Sequence, residues 1–108
     1  VGVGPAKEII LAGRVINAQE AVSMGLALKA VEPEELLESA NEVARTIMTK
    51  APLSLMLAKR MVDAALDLDH RNGISMENLA FSLLMGTQDK LEGTSAFLEK
   101  RSPDYQGK

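Results

Sequence analysis

A mainly α-helical chain, with five or six helices and at most one short strand, is the fold class that three observations predict. Apolar residues recur at helical spacing through most of the length. Capping residues stand at intervals ahead of these runs, and glycine or proline follows them. Only Leu26 to Val31 offers a plausible extended reading.

The elements follow in order. Pro5 suits the first position of a helix, where its missing N–H is not needed, and Gly13 supplies the stop, which predicts a short helix over about residues 5 to 12. Asn17 and Glu20 form a capping box, so a second short helix should start there and end at Gly25. Leu26-Ala-Leu-Lys-Ala-Val31 then reads as a strand before Pro33 blocks its continuation. Leu36, Leu37, Ala40, Val43, Ala44, Ile47 and Met48 recur along one helical face. Glu34 and Glu35 suit the positive end of the dipole, giving a helix over about 33 to 49. Ala51-Pro52 opens another, to about 67, whose polar residues Lys59, Arg60, Asp63 and Asp67 keep to one stripe. Asp69 caps a helix running to Met85, and Thr87 caps a final one over about 88 to 100 with Asp89 in its first turn.

Composition narrows the classes of function. At 108 residues with 46% apolar content, the chain is long enough for a single core that buries about two-thirds of the surface its unfolded form exposes. The mild charge of −3, with no cluster of basic residues, argues against nucleic acid as a partner and against an anionic membrane surface. No apolar run approaches the roughly 18 residues that cross a bilayer, and the first residues have no export pattern. With no cysteine, thiolate catalysis and Cys-based zinc sites are excluded, and the cytoplasm or an organelle matrix is the expected compartment. The two helices after Ala51 are apolar over most of their circumference, more than a bundle of this length conceals, so a partner surface is expected. The opening Val1-Gly-Val-Gly-Pro5, without methionine, suggests a piece of something longer.

Few residues carry chemistry. His70 is the sole histidine; it reads either as a general base with Asp69 or, with no nucleophile near it, as a solvated residue at a helix start, and the second reading is favoured. One histidine among scattered carboxylates has no metal-ligand spacing, so no metal is expected. The carboxylate groups Glu34/Glu35/Glu38, Asp63/Asp67/Asp69 and Asp89/Glu92 read as solvated helix faces rather than acid–base pairs. Gly2-Val3-Gly4 lacks the third glycine and the preceding strand of a phosphate loop. Phe97, Lys100 and Arg101 share one side of a helix at i, i+3 and i+4. They form either a core Phe beside two surface cations or, less readily on spacing alone, a place for a purine and a phosphate.

Five segments in register then point to a family: Ile9-Ile-Leu-Ala-Gly-Arg14 through Asn17-Ala-Gln-Glu-Ala21; Gly25-Leu26; Val31-Glu-Pro-Glu-Glu-Leu36; Ala58-Lys-Arg60; and Asp89-Lys-Leu-Glu-Gly-Thr-Ser-Ala-Phe97-Leu-Glu-Lys-Arg101. Together they resemble the crotonase superfamily, and within it the enoyl-CoA hydratases. The ending Lys100-Arg-Ser-Pro-Asp-Tyr105-Gln-Gly107 also resembles that family, with Tyr105 where Phe is more usual. Ala12, where Thr or Ser is common, and Ala27-Leu28, where Val-Asn or Val-Ser is usual, depart from it.

The resemblance implies the C-terminal helical, oligomerising region of a crotonase-type α/β spiral fold. Residues 1–32 would close the spiral core region, and 33–108 would form the helical domain. It implies hydration of trans-2-enoyl-CoA to 3-hydroxyacyl-CoA in fatty-acid metabolism, with no cofactor, and a homotrimer or hexamer whose helices supply subunit contacts. The family's catalytic glutamates and oxyanion-hole amides lie ahead of the equivalent of Val1, so no residue of this chain is nominated as catalytic and the segment alone should be inactive. Phe97 and Lys100 match positions that reach the adenine and phosphate end of CoA, and Phe81 matches one that lines the acyl pocket, where core packing is an equal alternative. Lys59 matches a common family lysine with a surface role. The compartment implied is cytoplasmic, or the mitochondrial matrix if the source is eukaryotic. Two alternatives stay open: an independent helical binding or oligomerisation module, and a segment of another family member such as an isomerase or a 3-hydroxybutyryl-CoA dehydratase.

Overall fold

The computed structural model describes all residues from Val1 to Lys108. It contains six α-helices and no strand: α1 (Val3–Leu11), α2 (Ala18–Ser23), a 3-10 turn (Pro33–Glu35) leading into α3 (Leu36–Met48), α4 (Pro52–Ala64), α5 (His70–Met85) and α6 (Gln88–Glu99). The chain divides into two compact units, Val1–Ala40 and Asn41–Lys108.

In the first unit, local hydrogen bonding closes each short helix. Gly13 takes φ +62°, which lets the Arg14 N–H return to the Ile9 carbonyl at 3.1 Å and end α1. The capping box at α2 is complete: the Glu20 N–H donates to Asn17 Oδ1 and the Asn17 N–H to Glu20 Oε2, both at 2.9 Å. Arg14 joins the two helices by reaching Glu20 at 2.7 Å and Glu8 at 3.1 Å. The Asn17 N–H and then the Arg14 guanidinium hold the Glu20 carboxyl below its ordinary range.

The strand expected from Leu26 to Val31 does not form. Gly25, at φ +74°, turns the chain back, and the N–H groups of Leu26 and Ala27 both donate to the Ala21 carbonyl, at 2.8 and 3.1 Å. Those amides close α2, and the chain contains no second strand whose ladder they could join.

In the second unit, α4 packs against α5, and the pair opens a groove of about 630 Å³ lined by residues such as Leu57, Met61, Ile74, Phe81 and Leu84. The helix expected to reach residue 67 stops at Ala64. Beyond it the Ala65 and Asp67 N–H groups bond three residues back, to Val62 and Ala64, tightening the chain ahead of the Asp69 cap. Asp69 accepts from the Arg71 and Asn72 N–H groups at 3.1 Å, chiefly the latter lowering its pKa.

Burial is sparse. Among apolar residues only Ala80 and Ala96 are buried, whereas Leu37, Met48, Val62, Leu66 and Leu98 stand exposed. The accessible surface is 8694 Å². A folded monomer of this mass is expected to expose about 5,800 Å². The wide apolar faces anticipated from the sequence are therefore present and uncovered within this chain.

Candidate functional site

The candidate residues gather at and beyond α6. Thr87 starts this helix by accepting the Lys90 N–H at 3.1 Å. After Glu99 the chain leaves helical geometry at Lys100, which takes φ 56° and ψ 38°, the left-handed conformation. The Lys100 N–H donates to the Phe97 carbonyl at 3.3 Å and the Arg101 N–H to that of Ala96 at 3.0 Å, the paired bonds of a Schellman end.

From there residues 102–108 run back along α6, held by two carboxylates. Glu92 accepts a forked pair from the Arg101 guanidinium, at 2.6 and 2.9 Å, and the Asp104 N–H at 2.8 Å. These donors stabilise the ionised form and lower the Glu92 pKa to about 2, the guanidinium contributing most. Asp89 accepts the Gln106 N–H at 2.7 Å on one oxygen and the Gly107 N–H at 2.9 Å on the other. Its own N–H donates to the Lys108 carbonyl at 3.1 Å. Tyr105 lies across Gly93, its hydroxyl 2.9 Å from where a Cβ would stand, and Gly107 meets Pro52 at the start of α4.

This arrangement corrects several expectations. Asp89 and Glu92 are not a solvated helix face: Asp89 is only 4% exposed, and both carboxylates are occupied in fastening the tail. Phe97 is 82% exposed within this chain. Lys100 and Arg101 do not continue the helix beside it, because the helix ends at Glu99 and Arg101 turns back to Glu92 and Glu99. The Lys100 side chain is exposed and has no carboxylate partner. Phe81 is 59% exposed and lines the α4–α5 groove, together with a smaller cavity of about 260 Å³ that Tyr105 closes on one side. His70 sits exposed at the start of α5, and Lys59 pairs with Asp63 one turn on. No group of three or more His, Asp or Glu side chains converges, and no helix is long and apolar enough to cross a membrane.

The family model for enoyl-CoA hydratase/isomerase matches residues 1–108. The chain belongs to the enoyl-CoA hydratase/isomerase family. Among family relatives, it is 40% identical over 107 residues to a probable mitochondrial enoyl-CoA hydratase 2 of Arabidopsis thaliana, covering 99% of this chain and 36% of that protein. It is 41% identical over 105 residues to the crotonyl-CoA hydratase of Syntrophomonas wolfei, covering 97% of this chain and 40% of that protein. The crystal structure of an enoyl-CoA hydratase from Bacillus anthracis superposes with a TM-score of 0.94 at 42% identity, covering all of this chain and 42% of that one. The chain thus spans about two-fifths of the length of these family members.

Proposed function

We propose that this chain is the C-terminal helical part of an enoyl-CoA hydratase, acting in the addition of water to trans-2-enoyl-CoA. In this reading it supplies subunit contacts and one edge of the CoA and acyl site, while the glutamates that move protons and the amides that hold the thioester oxygen belong to the rest of the enzyme. The observation that carries the reading is the match of 97% of the chain to 40% of a crotonyl-CoA hydratase, at 41% identity.

Three features support the details. An exposed aromatic ring at Phe97 and an unpaired ammonium at Lys100, one helical turn apart in sequence, suit a purine and a phosphate. Phe81, on the apolar α4–α5 groove, suits an acyl chain. The uncovered apolar faces suit a trimer or hexamer built on a larger body. The compartment that goes with this reading is the cytoplasm, or the mitochondrial matrix in a eukaryote.

The test is an assay of the purified 108-residue chain with crotonyl-CoA, followed by loss of the enoyl thioester absorbance. No turnover is expected; turnover dependent on this chain would falsify the placing of the proton-transfer groups elsewhere. A titration with CoA by NMR separates the reading from an independent binding module. Millimolar or absent binding by the chain alone supports a shared site, whereas tight binding abolished by Lys100→Ala supports a self-sufficient one.

A further inference from the structure

We infer that the Glu92–Arg101 pair is a positioning element that holds Lys100 in its left-handed conformation and so presents the Lys100 ammonium to an anionic ligand group. The inference rests on the reading above that Lys100 meets the phosphate end of CoA, and assigns a role to two residues that do not touch the ligand themselves.

The starting observation is a backbone outlier. Three helices end on a residue with positive φ: α1 at Gly13, α2 at Gly25 and α6 at Lys100. All three return the following N–H to a carbonyl five residues back, Arg14 to Ile9, Leu26 to Ala21 and Arg101 to Ala96. Two of these ends use glycine, which adopts the conformation freely. The third uses a lysine, and Lys100 is the only residue other than glycine with positive φ in the chain. A side chain there is disfavoured, so the surroundings must hold it.

The surroundings do so from the C-terminal side. The Arg101 guanidinium is tied at three donors, to both oxygens of Glu92 and to Glu99 Oε2 at 2.6 Å, and Glu92 also takes the Asp104 N–H. The chain is therefore anchored to α6 immediately after Lys100. The same bonds neutralise Arg101, leaving Lys100 as the cation of the Glu99-Lys100-Arg101 run with no carboxylate partner. A flexible cation must give up rotational and backbone freedom on meeting its ligand; one whose backbone is already fixed gives up less.

The experiment uses the full-length enzyme carrying this chain and compares Glu92→Gln, Arg101→Lys and Lys100→Ala by the Kd for CoA and by KM and kcat with crotonyl-CoA. Simple electrostatics and positioning predict opposite signs for Glu92→Gln. Removing a negative charge near an anion site should tighten CoA, whereas releasing Lys100 should weaken it. The expected result is a roughly threefold to tenfold rise in Kd and KM, with kcat held within about twofold. Arg101→Lys keeps the charge but loses the forked geometry, and should weaken CoA in the same way. Both effects should vanish in a Lys100→Ala background, which a purely structural role would leave intact. The positioning role is overturned if Glu92→Gln leaves CoA binding unchanged or tightens it, or if its effect persists in full without Lys100. If Lys100→Ala itself leaves Kd unchanged, it is the CoA contact that fails. A loss on Lys100→Ala with no loss on Glu92→Gln or Arg101→Lys sinks the positioning alone.

Discussion

Asp89 shows how much one side chain can fasten. It is buried at the start of α6, and its two oxygens accept the N–H groups of Gln106 and Gly107. Removing such an acceptor leaves the Gln106 and Gly107 amides without their protein partner at a part-buried position. Asp89→Ala should cost about 2 kcal/mol of local stability. The measurement is amide hydrogen exchange: Gln106 and Gly107 should exchange at nearly unprotected rates in the variant while the amides in the middle of α5 keep their protection. Retained protection at Gln106 and Gly107 would show that the tail is held by something other than this carboxylate.

Glu92 yields a pH prediction whose sign follows from its donors. Its folded pKa lies near 2, below the ordinary 4.5, so the clamp contributes stability that is present above about pH 4.5 and is lost as pH falls toward 2. The carboxyl carbon of Glu92, followed by NMR, should titrate with a midpoint near 2. Arg101→Gln should bring that midpoint back toward the ordinary carboxylate range, since the guanidinium is the main cause of the depression. A midpoint unchanged by the substitution would mean that the Asp104 amide dominates.

At the scale of elements, α6 and the tail are fitted through Gly93. An alanine in the middle of a helix is favoured over glycine by about 1 kcal/mol. Here its Cβ would stand 2.9 Å from the Tyr105 hydroxyl and 3.5 Å from the ring carbon that bears it. Gly93→Ala alone should therefore displace Tyr105, cancelling most of the helical gain. Removing the hydroxyl with Tyr105→Phe should relieve the closest contact, so that the double variant unfolds at a higher temperature than Gly93→Ala alone. Thermal melts of the four combinations test this, and an equal effect of Gly93→Ala in both backgrounds would exclude the coupling.

The short helices of the first unit are held differently. The Asn17–Glu20 box and the Arg14 bridges are local and at most half-buried, so they define where α1 and α2 stop and start without adding a core. The contrast explains why the strand expectation at Leu26 failed. A short, mostly apolar run such as Leu26 to Val31 can be extended, but only a neighbouring ladder makes it a strand. Gly25 and the Ala21 carbonyl offered those amides a closer partner.

For the whole molecule, the decisive quantity is uncovered apolar surface. Its 8694 Å² exceeds the expectation for a folded monomer of this mass by about half, and residues as apolar as Leu66, at 94%, are almost fully exposed. Isolated in water, such faces should find one another. Light scattering and sedimentation of the purified chain should report self-association that grows with concentration, and its NMR spectrum should be broadened. A sharply dispersed monomer would contradict the view that these faces are built to be covered.

Local residue patterns were enough to read the helices, most of their caps and the family. The capping box, Pro at helix starts and Gly at helix ends act within four or five residues, and the motifs from Ile9 to Ala21 and from Asp89 to Arg101 are each continuous in the chain. What the acidic residues of α6 do and how Lys100 is held came instead from contacts between distant parts of the chain. Glu92 and Arg101 are nine residues apart, and Asp89 meets Gly107 eighteen residues on, through a chain reversal at a left-handed lysine. No helical or strand period carries those separations. They become contacts because the turn at Lys100 brings the tail back along the helix, and a buried carboxylate there must be given N–H partners.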